Sequence, residues 1–183
     1  MLREVQRLTP DRVADFFRLH SQAHQAGWCY CTAWWVPTWE GWGERSQAAN
    51  RALRQELFAR GQHDGYLLYA DREPVAWCQV GLRDRLEKLR AQYGLQPDPQ
   101  AWAITCFFTA PSQRRQGHAR HLLGAVLRDL KARGVRRLEA FPRRGPALEP
   151  GDRWTGPESL FLQAGFRVAR DDARRPLLLA LEW

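Results

Sequence analysis

Val13, Phe16, Phe17 and His20 recur at helical spacing behind Thr9 as an N-cap, Pro10 at the first helical position and Asp11 near the positive helix end, which predicts a first helix. The run WCYCTAWWVPTWEGWG, residues 28–43, is too aromatic for a solvated loop and too rich in Gly and Pro for a long helix. It reads as a packed loop that walls a pocket. In residues 45–61, Ala49, Leu53, Leu57 and Phe58 share one side and Gly61 stops the run, a second helix. GYLLYA, DREP and VAWCQVG then read as strand, turn and strand, an antiparallel hairpin. The polar helical connector RDRLEKLRAQYG follows and ends at PDP. AWAITCFFTA is apolar at nearly every position, as in a strand covered on both faces. After it, Leu122, Leu123, Val126, Leu127 and Leu130 form the stripe of a helix that ends at Gly134. VRRLEAF is the next strand, PRRGPALEPGDRWTG a long loop, PESLFLQAG a short helix, and residues 166–183 a closing hairpin. The order is α-α-β-β-(α)-β-α-β-α-β-β, with a right-handed strand-helix-strand crossover near its centre.

Composition narrows the class. A chain of 183 residues with no low-complexity stretch is expected to form one domain over residues 1–183. Neither a signal-like N-terminal run nor a stretch of about 18 apolar residues is present, so a cytoplasmic protein without a membrane partner is expected. Cys29, Cys31, Cys78 and Cys106 sit in strand-like or aromatic surroundings and are expected to be reduced thiols. The net charge of +8 is carried almost wholly by arginine, with lysine only at Lys88 and Lys131. That favours an anionic partner without choosing among nucleic acid, lipid and a phosphorylated small molecule.

Position decides more than total charge. In PSQRRQGHARHLLGAVL, residues 111–127, Arg114, Arg115 and His118 flank Gly117 where a strand passes into a helix. First-turn amides lack internal partners and lie at the positive end of the helix dipole, so such a junction binds phosphate. Gly117 lets a ligand approach the backbone and Ala119 keeps the next contact small. The glycine-lysine-hydroxyl ending of a nucleotide P-loop and the three-glycine dinucleotide fingerprint are both absent.

With Arg114, Gly117 and Ala119 at the spacing of the cofactor motif and Pro111 before them, the chain resembles the GCN5-related N-acetyltransferase (GNAT) superfamily. The hairpin YLLYADREPVAWCQVG and the segment ESLFLQAGF resemble the family's second and third strands and its short helix running into a Gly-Phe strand start. The resemblance runs from about Tyr66 to Trp183, with the first two helices fitting more loosely. It implies an α/β GNAT acyl-CoA N-acyltransferase fold, a mixed central sheet flanked by helices, with a splayed strand pair at the cofactor site. It implies acetyl-CoA as co-substrate, held by Phe107, Phe108, Thr109, Arg114, Arg115, Gln116, Gly117, His118, Ala119 and Phe161. The strand amide near Phe108 is the expected oxyanion donor, and the acceptor amine faces Trp28, Cys29, Tyr30 and Trp34.

Many members of the family place a tyrosine acid where this chain has Phe161, so either Ser159 with water substitutes, CoA leaves without a fixed acid, or the activity is weak. Glu139, alone among apolar neighbours in RRLEAFP, is the candidate base, or else a glutamate paired with a nearby arginine. His20 and His24, four apart, precede Cys29 and Cys31 and have the ligand types of a tetrahedral zinc site, but the spacing is not that of a familiar finger and no bound metal is expected. Three functions are compatible with the sequence: an acetyl-CoA-dependent N-acetyltransferase acting on a primary amine, an acyl-CoA-binding module without efficient chemistry, and a basic RNA-associated protein. No nucleic-acid motif supports the third, and no partner protein or oligomeric state is legible.

Overall fold

The structure is a computed structural model that describes residues 2–23, 28–145, 153–172 and 175–183. Strands β1 (Arg3–Arg7), β2 (Tyr66–Ala70), β3 (Glu73–Leu82), β4 (Ala101–Thr109), β5 (Arg137–Ala140), β6 (Arg167–Asp172) and β7 (Arg175–Glu182) form one sheet in the order β1-β2-β3-β4-β5-β7-β6. Neighbours are antiparallel except β4 and β5, which run parallel. Their crossover is α4 (His118–Ala132), since a parallel pair cannot be joined by a tight turn. The remaining helices are α1 (Val13–His20), α2 (Gln47–Ala59), α3 (Glu87–Tyr93) and α5 (Glu158–Gln163). None of the described helices is long and apolar enough to cross a membrane.

The predicted order of elements holds, with one addition. β1 pairs with β2 at the sheet edge, and the pattern missed it because Val5 is its one apolar residue. Thr9 precedes a 3₁₀ turn rather than capping α1, and its hydroxyl accepts a hydrogen bond from the Arg12 guanidinium. At α2 the cap is Ser46, whose Oγ accepts from the Ala49 amide at 3.1 Å. Asp71 and Arg72, both left-handed, form the two-residue turn between β2 and β3.

Two layers cover the sheet. On one face Leu122, Leu123, Val126 and Leu130 of α4 and Phe161 of α5 pack on Val80, Ile104, Leu138 and Leu179. On the other, α1, α2, α3 and the tryptophan-rich loop pack on Leu67, Trp77, Cys106 and Leu178. Strand alternation would put Ile104 and Cys106 on one face. A bulge in β4 separates them: Gln79 faces Cys106 while the next residue, Val80, faces Ile104, leaving Thr105 as the extra residue. Beyond the bulge β4 loses its parallel neighbour, because β5 pairs only with Ala101 to Ile104. The sheet opens there.

Candidate functional site

The opening beside β4 holds a cavity of about 770 Å³. One wall is the tryptophan-rich loop, with Trp28, Cys29, Ala33, Trp34, Trp39 and Trp42. The opposite wall comes from the segments after β5 and before α5: Pro142, Arg143, Arg144, Trp154 and Thr155. Gln92 and Tyr93 of α3, Cys106 and Phe107 of β4, and Asp171, Pro176 and Leu177 of the β6–β7 hairpin complete it.

The tryptophan-rich loop is held from beneath. Tyr30 and Cys31 adopt left-handed conformations (φ 42° and 55°), and Arg54 of α2, 1% exposed, donates to the Tyr30 carbonyl at 2.8 Å and to the Cys31 carbonyl. Its third partner is Gln79 Oε1 at 2.8 Å. Tyr30 is therefore a buried support and not part of the cavity wall, whereas Trp28, Cys29 and Trp34 do reach the cavity. Lys88 sits among the tryptophans of this wall, where an aromatic cage could otherwise hold a ligand cation. Its Nζ lies 3.5 Å from the Trp39 ring centroid, with Trp34 and Trp42 at 5.9 and 5.6 Å. Burial, helped by Arg45, pulls its pKa down to about 8.

At the other end of β4, Gly117 caps α4 in a left-handed conformation (φ 76°), and no side chain caps the helix. A Cβ built on Gly117 would meet nothing within 4 Å, so the space over the first turn is open. Arg114, Arg115, Gln116 and Gly117 are exposed and Ala119 is half-buried around that space. Arg115 is also left-handed, φ 65°. Arg114 Nε donates to the Thr109 carbonyl at 3.4 Å and Arg3 donates to the Gln116 carbonyl at 3.0 Å, tying the turn to two strands. These residues suit a phosphate-bearing ligand: oriented amides, fixed positive charge and room for close approach. His118 is only 2% exposed and both ring nitrogens lack hydrogen-bond partners, so its side chain packs beneath the turn.

Several predicted roles change. Glu139 does not reach the cavity: it is 1% exposed, its carboxylate takes two bonds from Arg83 at 3.0 and 3.1 Å, and Arg137 adds a third at 2.9 Å. The ion-pair alternative is what the structure contains. Glu139→Gln is accordingly expected to lower stability by about 3 kcal/mol, because it leaves buried Arg83 with Asp84 as its remaining carboxylate partner. The acidic limb of any rate profile should stay where it is, as urea unfolding and a pH series will show. Phe161 is fully enclosed by Phe107, Phe166 and Gly156, so its ring is core packing rather than ligand contact. Ser159 lies exposed in α5 and is not a cavity-lining residue. Phe107 does line the cavity, but its amide donates to the Trp154 carbonyl at 2.7 Å. The backbone group expected to be free beside the parted strands is thus occupied in this conformation. Phe108, 5% exposed, stacks on His20 at 5.0 Å.

The zinc alternative involves His24, which lies outside the described residues. His20 Nδ1 accepts from Trp28 Nε1 at 3.0 Å, and Cys31 Sγ contacts Cys106 Sγ. The described residues contain no group of three or more His, Cys, Asp or Glu side chains suited to a metal ion. Burial, with Arg54 nearby, holds the His20 pKa well below its ordinary value. The unfolded chain then binds a proton that the native state refuses. Stability is therefore expected to fall as pH drops below about 6.5, by at most about 1.4 kcal/mol per pH unit, and less steeply in His20→Gln. Urea midpoints between pH 7 and 5 will measure it.

The model of the Acetyltransferase (GNAT) family matches residues 28–147. The chain belongs to the GNAT acetyltransferase family. The match takes in the tryptophan-rich loop, β2 to β5 and the turn at Gly117, and it begins earlier in the chain than the sequence motifs do. No curated protein matches. Solved structures share the GNAT fold at low identity. The PaiA N-acetyltransferase from Thermoplasma acidophilum, crystallised with coenzyme A, has 12% identity and a TM-score of 0.56, with 100% of each chain covered. The ribosomal-protein-S18-alanine N-acetyltransferase from Escherichia coli has 16% identity and a TM-score of 0.55, over 99% of this chain and 94% of that one. A GNAT acetyltransferase from Brucella melitensis in complex with acetyl-CoA has 11% identity and a TM-score of 0.53, over 100% and 88%.

Sequence reading missed Arg143, Arg144, Trp154, Asp171, Gln92 and Tyr93. The pair Arg143–Arg144 did carry a signal, because charged residues directly after a sheet strand stand where crevices open. The others converge only through the sheet order.

Proposed function

We propose that this GNAT protein is a cytoplasmic, single-domain N-acetyltransferase that moves an acetyl group from acetyl-CoA to a primary amine by direct attack. The observation that carries this reading is the position of β4, whose edge opens on the aromatic cavity and whose end leads into the uncapped turn at Gly117. The turn suits the diphosphate and the cavity suits the amine. Relatives crystallised with CoA or acetyl-CoA support the same co-substrate. Acetyl-CoA supplies a thioester carbonyl: the amine lone pair forms the C–N bond, the C–S bond breaks, and CoA leaves as a thiol. The chain contributes position and desolvation, with the amine brought to the opening beside Phe107 by the tryptophan wall. With Glu139 in its ion pair and Phe161 enclosed, the amine proton passes to water.

The test is thiol release from acetyl-CoA on addition of primary amines, followed with a thiol reagent alongside melting curves. Amine-dependent release is expected. Stabilisation by acetyl-CoA without release would favour the acyl-CoA-binding module, a reading to which the enclosed Phe161 lends support.

A further inference from the structure

Two wall residues of the cavity carry an unpaired polar atom that can donate a hydrogen bond. Trp34 Nε1 and Thr155 Oγ1, both on its wall, are buried without hydrogen-bond partners. In β6, Arg170 does not itself line the cavity; its Nε and one terminal nitrogen are buried with no hydrogen-bond partner, and Asp172 pairs with it loosely, 3.8 Å from Nε. A guanidinium has five N–H groups and no acceptor, so leaving them unmet in a buried site is costly. The register places Arg170 opposite Leu178, which packs with Trp34 and Tyr93 beneath the cavity. The charges of Arg170 and Arg143 reach the Tyr93 hydroxyl, where they oppose the burial that pushes its pKa up to about 12.

Acceptors are scarce on the same walls. Among the described residues Asp171 is the one acidic side chain lining the cavity, and Arg144 already pairs with it and with Glu158. The aromatic cage that could have held a substrate cation contains Lys88. A polycationic amine would meet positive charge and no open carboxylate. An oxyanion would meet unpaired donors, and the tryptophans give an apolar body a surface to lie on.

We propose that the cavity takes an amine built on an apolar or aromatic body and carrying a carboxylate, and that Arg170 selects for that carboxylate. This deepens the acetyl-transfer reading and rests on it. The ammonium loses its proton at the β4 opening while the carboxylate is anchored toward Tyr93, on the β6 side.

Matched pairs of amines separate the carboxylate from the body that bears it. Phenylalanine against phenethylamine, and 4-(aminomethyl)benzoate against benzylamine, place the carboxylate at two distances from the nitrogen. At least one carboxylate is expected to exceed its partner without a carboxylate in kcat/KM by about 30-fold, chiefly through KM. Arg170→Gln should bring that ratio toward one, and Arg170→Lys, which keeps the charge but loses the fork, should fall between. Binding of the same compounds in the presence of CoA, measured by calorimetry, gives a readout that needs no turnover and should show the same preference. Partners without a carboxylate, or spermidine, used as well as the carboxylates would overturn the proposal while leaving acetyl transfer intact. Absence of carboxylate binding to the wild type would overturn it as well. Failure of the broader reading is distinct: acetyl-CoA would then neither stabilise the protein nor release thiol with any amine. Should Arg170→Gln fail to fold, the wild-type ratios decide.

Discussion

Arg54→Ala is expected to lower the unfolding free energy by about 4 kcal/mol, a loss large enough to leave many domains marginal. Three acceptors depend on this one guanidinium: the Tyr30 and Cys31 carbonyls and Gln79 Oε1. Each would be left buried and unpaired, at about 1–3 kcal/mol apiece before relaxation. The carbonyls belong to two left-handed residues, neither of them glycine, so their conformation is itself costly and needs an external tie. The guanidinium also lies 5.4 Å from the centroids of Phe16 and Phe58, and its removal leaves a void between them. Arg54→Lys should recover part of the loss, because an ammonium meets fewer of these acceptors. Urea unfolding of the three proteins will rank them, and ligand binding should weaken in the same order, since Cys29, Ala33 and Trp34 sit on the loop that Arg54 supports.

Gly117→Val is expected to remove the stabilisation that acetyl-CoA gives the wild type. A ligand that binds only the native state adds RT ln(1 + [L]/Kd), about 2.7 kcal/mol at a hundredfold excess over Kd. Valine does not tolerate φ 76°, and the left-handed conformation costs an ordinary residue about 1–2 kcal/mol, more with a branched Cβ. Relief comes by rotating the turn, which turns aside the amides proposed to face the phosphates. The open space over Gly117 means that no neighbour is pushed, so the fold itself should survive. Melting curves with and without millimolar acetyl-CoA give the result: a shift in the wild type and none in the variant. An unmoved wild type would remove the co-substrate from the reading.

The parts of this structure that were legible in the sequence are those written in local pattern. The α4 stripe from Leu122 to Leu130 declared a helix, and Gly117 before it declared a sharp turn at its start. The tryptophan-rich loop was legible as a pocket wall because residues of that size need something to pack against. Other features depend on what lies across the sheet. The Thr105 bulge hides in AWAITCFFTA because a strand apolar on both faces has no alternation for a bulge to interrupt. Glu139 was recognisable as isolated, but its partner Arg83 stands 56 positions away and only the β3–β4–β5 order brings them together. Arg170 carries no motif at all; it matters because its register partner packs under the cavity. Phe161 sat at a position meaningful by resemblance, yet Gly156 and Phe107 close over it.

The hydrogen bond from Phe107 to the Trp154 carbonyl joins the two halves of the site mechanically. Any acceptor group that arrives at the Phe107 amide exchanges one hydrogen bond for another, so this contact adds little net affinity. What it moves is the segment holding Trp154, whose indole packs 5.7 Å from Trp34 across the cavity. On the acetyl-transfer reading, a ligand entering between the parted strands is expected to reshape the wall proposed to meet the amine. On that reading the two ligands would sense one another through a single displaced carbonyl, and order of addition would follow from the fold.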